Sequence, residues 1–290
     1  MSRKPGRGQH DQHVCRRAYR ERTPCTLAVG RRGLQQTRVP WKVTSTDEDN
    51  RVDLNAWQPH AAAMEAFHRG KHDTTIVVYD DFERDEAPIA YFFRGPEEFP
   101  PLEQLALDLC RGRVLDVGAG SGCHSLALQD RGLEVTAIEI LPSLVRILKE
   151  RGVRDARLAT WMDVAAPPFD TVFMMMNGLG LTETLDGLRR FFREGRRLVA
   201  RGGQVLADST DVRARLDPES GRTGALERPD GRYVGELHFQ IEYEGRKGDP
   251  FPQLYVDANT LKRIAREEEW SCDIVMEPDE YGHYLAQLTP

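Results

Sequence analysis

At 290 residues the chain is long enough for one α/β domain with additions, and 46 acidic against 40 basic residues leave it at a net charge of −6. The charge is unevenly placed: residues 1–45 carry eleven Lys and Arg against Asp11 and Glu21, so residues 46–290 carry −15, which disfavours a nucleic-acid partner because such binding is driven by neutralising phosphates. No run approaches the ~18 apolar residues of a membrane span and the N-terminus lacks the apolar core of a secretory signal, so the expectation is a cytoplasmic protein, without membrane or nucleic-acid partners, that meets a small molecule or another protein.

The five cysteines, Cys15, Cys25, Cys110, Cys123 and Cys272, are odd in number and form no C-x-x-C pair, so reduced thiols are expected. His10, His13, Cys15 and Cys25 match no strong metal-site spacing and have no core around them, so no metal is read there. Residues 1–50, rich in Arg, Gly and Gln, cannot bury enough apolar surface to offset chain entropy and are expected to be a disordered basic tail. From Pro59, PHAAAMEAFHRG predicts a helix that ends at Gly70. Thr74 to Tyr79 and Pro88 to Phe93 are β-rich runs separated by the acidic DDFERDEA, and Pro100-Pro101 opens a helix through Leu102, Leu105, Ala106 and Leu109. Residues 51–110 therefore read as an N-terminal α/β cap. Its Tyr91, Phe92 and Phe93 either cover a substrate or pack into the core beside a solvated Arg94.

Arg113 to Ser125, RVLDVGAGSGCHS, follows as strand, glycine turn and helix start. Val114, Leu115 and Val117 suit a central parallel strand, interrupted by Asp116, a carboxylate whose burial demands a partner that a cationic ligand could supply. Gly118, Gly120 and Gly122 permit positive φ and leave no Cβ above the main chain, and the helix amides beyond them would face the same ligand. A dinucleotide fingerprint would need glycine where Cys123 stands, which weighs against a nicotinamide-dependent dehydrogenase. Asp116 two residues before G-x-G-x-G instead resembles the first motif of the class I S-adenosylmethionine-dependent methyltransferases.

Downstream, CHSLALQDRG reads as helix, LEVTAIEI as the second strand, Ser143 to Arg151 as helix, Ala156 to Trp161 as the third strand and Asp170 to Met176 as the fourth. This alternation indicates a doubly wound, mostly parallel sheet. Glu139 ends the second strand about 20 residues past the glycines, where an acid accepts hydrogen bonds from ribose hydroxyls, or else caps the helix that Pro142 begins. In the ribose reading it faces an open crevice with no buried partner. Asp163, by the resemblance, bonds the adenine amino group; as a loop residue it could equally cap nearby amides. Asn177 precedes Gly-Leu-Gly, without the two prolines and aromatic carried by family members that methylate base or glutamine amines. It could hold the methionine part of the cofactor, orient a substrate, or pack a tight turn.

A helix from about Thr182 to Ala200, a Gly-Gly turn and strand Gln204 to Asp208 continue the family pattern. Residues 212–232 read as loop, and Glu236 to Glu244 alternates as a strand with one wet face, paired with Leu254 to Val256. Helix Ala258 to Trp270 and strands Cys272 to Met276 and Tyr284 to Leu288 close the chain. The resemblance thus implies an α/β, Rossmann-like seven-stranded sheet over 111–290 with an antiparallel C-terminal edge hairpin, a β-hairpin inserted at about 230–257, and S-adenosyl-L-methionine as cofactor. Its site would comprise Asp116, Gly118, Gly120, Gly122, Glu139, Asp163 and Asn177. The expected activity is methyl transfer to a small-molecule acceptor by direct displacement; a non-catalytic relative of the fold is the alternative. Such chemistry rests on positioning and a dry site, so no catalytic residue is assigned; His238, His283 and Asp211 are candidates by type only. Oligomeric state and acceptor stay open.

Overall fold

A computed structural model describes residues 53–165, 167–216 and 226–290. The basic tail, with its His10, His13, Cys15 and Cys25, lies outside the described residues. The chain forms α1 (Leu54–His68), β1 (Thr75–Tyr79), β2 (Arg84–Pro88), α2 (Pro101–Leu109), β3 (Arg113–Val117), α3 (Cys123–Asp130), β4 (Glu134–Glu139), α4 (Pro142–Glu150), β5 (Asp155–Leu158) and β6 (Phe169–Met174). Then come α5 (Leu185–Gly195), β7 (Val199–Thr210), β8 (Glu236–Tyr243), β9 (Arg246–Lys247), β10 (Phe251–Leu254), α6 (Ala258–Glu267), β11 (Ser271–Met276) and β12 (His283–Thr289). No helix of the described residues is long and apolar enough to cross a membrane.

The main sheet has seven strands in the order β11-β12-β7-β6-β3-β4-β5. From β7 to β5 every pair is parallel, and the β11–β12 hairpin adds antiparallel to β7, as the sequence led us to expect. The two-residue period of the strands sorts their apolar side chains between the faces. Leu115, Val172, Val205 and Ala286 pack with α5 and α6, through Leu188, Phe191, Phe192, Leu261 and Ile264. Their chain neighbours Val114, Phe173, Leu206 and Leu285 pack on the other face with α2 and α3, through Leu107, Ala127 and Leu128. Both faces are therefore covered, which is why β3 carries apolar residues at the consecutive positions Val114 and Leu115 rather than alternating ones.

A second, antiparallel sheet runs β10-β8-β1-β2, with β9 pairing to β8. Val77 lies opposite Glu242 and Val78 opposite Ile241, so strands from residues 75–88 and from the late hairpin form a single sheet. Two elements differ from their expectation here. The acidic stretch is no loop: Asp80 accepts from the Phe82 and Glu83 amides at 2.8 and 2.9 Å, closing a tight turn that releases Arg84–Pro88 to be β2. Ile89–Phe93, expected as strand, is a 3₁₀ turn that leaves the sheet to dock on the glycine turn through Phe92.

Element ends also move. Helix α1 starts at Leu54, because Asp53 caps it by accepting from the Asn55 amide at 2.9 Å, and so encloses Pro59. Helix α5 starts at Leu185, capped by Thr184, whose hydroxyl accepts from Gly187 N at 3.0 Å; the Gly178–Thr182 stretch before it is 3₁₀. β10 takes Phe251–Leu254 rather than residues 254–256.

Candidate functional site

The glycine turn joins β3 to α3 with φ of +74° at Gly118, +56° at Gly120 and +87° at Gly122. The three do different work. A Cβ on Gly122 would stand 2.7 Å from Leu148 and 3.0 Å from Val153, so this glycine lets α3 pack against α4. A Cβ on Gly120 would meet nothing nearer than 4.0 Å, so the space outside its Cα is open, and one on Gly118 would touch only Leu181 at 3.1 Å. The amides of Gly118 and Ala119 both donate to Ile138 O, at 3.0 and 3.1 Å, holding the turn against the end of β4.

Two acids lie at the carboxyl ends of adjacent strands. Asp116 is buried, and its partner belongs to the chain itself: Ser125 in the first turn of α3 donates its hydroxyl to Oδ2. Burial pushes the Asp116 carboxyl up, against the opposing effects of nearby His124 and the Ser125 bond. Glu139 is only 6% exposed and is far from partnerless, contrary to expectation. Its Oε1 accepts from the Ile140 and Leu141 amides at 2.7 and 3.2 Å, and its Oε2 from the Gly120 amide at 3.0 Å. Burial raises its pKa while the three backbone donors lower it. The carboxylate thus ties β4 to the glycine turn, and Oε2, with one donor, keeps lone-pair capacity.

Asp163 is exposed in the loop after β5, accepting from Thr160 N at 3.0 Å and Thr160 Oγ1 at 2.7 Å; those bonds hold its carboxyl below the usual range. Asn177 follows β6 in left-handed backbone, φ +59°. Its Nδ2 donates to Leu254 O at 3.2 Å and its Oδ1 accepts from Ser209 Oγ at 3.3 Å, so the side chain joins β7 to the inserted hairpin. Asp208, which the sequence reading did not single out, holds the same turn by accepting from the Asn177 and Gly178 amides at 2.9 and 2.8 Å. Gly178–Thr182 then passes over Gly118 through Leu181. The candidates by type are each engaged locally: Asp211 with Arg213 at 2.8 Å, His283 with Asp279 at 3.5 Å, and His238 near Asp81 at 3.7 Å.

The cap closes on this turn. Ser121 donates its hydroxyl to Phe92 O, and Arg151 donates to Ser121 O and Oγ at 2.6 and 2.7 Å while lying 5.0 Å from the Phe93 ring. Arg94, expected in solvent, is 6% exposed: it forms an ion pair with Glu103 of α2 and stacks 3.7 Å from the Tyr91 ring. Glu103, 3% exposed, also takes His124 Nε2 at 2.7 Å. Burial works against a charged His124, but the Cys123 sulfur and Glu103 outweigh it and raise the imidazole to about 10. One signal for this network was visible: Glu103 lies among the apolar positions of α2.

Comparison with known proteins accords with this arrangement. A family model described as a methyltransferase domain matches residues 115–207. A ubiquinone biosynthesis O-methyltransferase of Xanthomonas oryzae pv. oryzae (strain PXO99A) is 34% identical over 108 residues, 34% of this chain and 44% of that protein, and a magnesium-protoporphyrin O-methyltransferase of Rhodobacter capsulatus is 35% identical over 80 residues, 26% of this chain and 36% of that one. The chain thus spans less than half the length of these curated relatives. A Bacteroides fragilis methyltransferase, solved in complex with S-adenosyl-L-homocysteine, superposes with a TM-score of 0.71 at 38% identity, over 82% of this chain and 96% of that one. Built on the same sheet and sharing that identity over nearly the whole of a solved member, the chain belongs to the S-adenosylmethionine-dependent methyltransferase family.

Proposed function

We propose that this protein transfers a methyl group from S-adenosyl-L-methionine to a small-molecule acceptor by direct displacement. The observation that carries it is the pairing of Gly120, whose outer side is open, with the Glu139 carboxylate bonded to its amide. In this reading Glu139 Oε2 receives ribose hydroxyls, Asp163 the adenine amino group, and Asp116 and the α3 amides face the methionine end above Gly118 and Gly120. Gly122 serves packing, and Asn177 acts by fixing the Gly178–Thr182 segment. The bound cofactor supplies an activated methyl on sulfonium sulfur. The chain contributes position and dryness, because no covalent intermediate is required.

The acidic body argues for a small acceptor, and the names of the curated relatives favour oxygen as the methylated atom. Residues 51–110 act as the cap, and 111–290 as the cofactor domain with its insertion at 230–257. The sheet that the cap and insertion share supports their working as one lid. S-adenosylhomocysteine should raise the melting temperature and NAD should not, since only a native-state ligand stabilises. A shift with NAD alone would overturn the reading. Transfer of labelled methyl to a small-molecule fraction of cell extract separates the enzyme from a non-catalytic relative.

A further inference from the structure

Four ionisable side chains are packed out of water between the cap and the glycine turn: Arg94, Glu103, Asp116 and His124, none more than 6% exposed. Glu103 of α2 takes two partners, the Arg94 guanidinium on Oε1 and His124 Nε2 on Oε2 at 2.7 Å. The Phe99 ring stands beside both, 5.3 Å from the guanidinium and 4.9 Å from the imidazole. With His124 protonated, this trio carries one positive charge in surplus.

Asp116 has the opposite imbalance. Its carboxylate accepts from the Ser125 hydroxyl, a donor without charge. His124 directly precedes Ser125 on α3, and its ring packs 5.5 Å from that of Phe173, the residue opposite Asp116 in the β3–β6 pairing. The surplus cation thus stands beside the buried anion, and it draws the Asp116 carboxyl down against the larger rise that burial imposes. The other ionisable groups around the pair are thiols and acids. The Cys123 sulfur is 3.8 Å from His124 Nδ1, Cys110 and Glu139 are raised by the Asp116 charge, and Asp208 by that of Glu103. None of these is a cation for Asp116.

We propose that His124 is a positioning residue for the cofactor: as an imidazolium held by Glu103 and Arg94, it keeps the Asp116 carboxylate ionised to receive the ammonium group of the methionine part. The proposal deepens the cofactor reading and rests on it. A carboxyl buried this deeply without a cation takes up a proton, and the neutral acid has lost the charge that attracts an ammonium. His124 is raised to about 10 and so stays charged through the neutral range. The four charges then sum to zero, and a zwitterionic amino-acid group enters a balanced cluster. Because Arg94 belongs to the cap and Glu103 to α2, the charge at the methionine end depends on residues 94–103 staying docked.

The test titrates the full chain calorimetrically with S-adenosylhomocysteine and with methylthioadenosine, which shares the nucleoside and the sulfur but has no amino-acid part. His124→Gln, which can still donate to Glu103 but carries no charge, should weaken S-adenosylhomocysteine at least about tenfold at about pH 5.5, the worth of a hydrogen bond to a charged group. Methylthioadenosine should stay within about twofold of wild type, since it has no ammonium to lose. Asp116 is ionised only above its raised pKa, so the deficit in the variant should narrow as pH rises to about 7, below the titration of an α-amino group. In wild type the ratio of the two affinities should hold within about threefold over that interval. Nitrogen NMR of wild type should find both ring nitrogens of His124 protonated at about pH 8, where an ordinary imidazole is neutral. Equal losses for the two ligands would make His124 merely structural and overturn the proposal, as would an unchanged S-adenosylhomocysteine affinity or a neutral His124 ring. If the variant does not fold, the wild-type spectrum decides. A fault in the cofactor reading itself would appear differently, as no S-adenosylhomocysteine binding even in wild type.

Discussion

Glu139 places two demands on one carboxylate: it accepts three backbone amides in the chain and, in the proposed function, ribose hydroxyls as well. Glu139→Ala should therefore weaken S-adenosylhomocysteine binding by about 1.5–3 kcal/mol, roughly ten- to hundredfold, in calorimetric titration. It should also destabilise the unliganded protein, by about 1–3 kcal/mol in urea unfolding, because the amides lose their acceptor; the burial that raises the Glu139 pKa offsets part of this. Binding within twofold of wild type would remove Glu139 from the ribose site. His124 makes a second residue-scale test. Its pKa is raised to about 10 in the fold against an ordinary 6.5, so its contribution is fully present below about pH 6.5 and is lost as pH rises through about 10. The melting-temperature gap between wild type and His124→Gln should be widest below pH 6.5 and close toward pH 10. A constant gap would mean that the charge beside Glu103 contributes nothing.

At the scale of elements, the strand–turn–helix unit contains glycines that look alike in sequence and differ in what surrounds them. Gly120→Ala meets open space, so its stability cost should be only the left-handed backbone strain, about 1–2 kcal/mol, while cofactor affinity falls because the new methyl stands over the site. Gly122→Ala adds an overlap 2.7 Å from Leu148 to the same strain and should cost a further 1–3 kcal/mol or so. Urea unfolding with parallel S-adenosylhomocysteine titration measures both. Equal stability losses would refute the division of labour between them. The Ser121–Phe92 and His124–Glu103 contacts show why this turn is also an attachment point: both join it or the helix it opens to residues 92–103.

For the molecule as a whole, the sheet formed by β1, β2, β8 and β10 ties residues 75–88 to residues 236–254. Hydrogen exchange should find β1 and β8 amides opening together, since their cross-strand bonds are mutual, and S-adenosylhomocysteine should slow both. Independent exchange of the two strands would contradict that tie. Deleting residues 1–45 should leave folding and cofactor affinity almost unchanged, because their composition offers no periodic apolar face to the core. Loss of cofactor-binding protein on truncation would contradict this.

The sequence alone determined what depends on local chemistry and short spacing. Strand β3, the glycine turn, the acid at the end of β4 and the strand–helix alternation are each written in a few consecutive residues, because period and turn geometry are local properties. Tertiary structure alone decided which separated segments meet. Arg84–Pro88 has a loop's composition and becomes a strand because β1 offers it an edge, closed by the Asp80 turn. Arg94 looks like a surface residue until Glu103, from the next helix, and the Tyr91 ring take it up. Glu139 and Asp116 appeared to await a ligand, yet backbone amides and Ser125 already answer them, and His60, unremarkable within an alanine-rich helix, is left unpaired among rings contributed from residues 57 to 251. A charge or an imidazole takes its energy from what surrounds it in space, and distance along the chain carries almost none of that information.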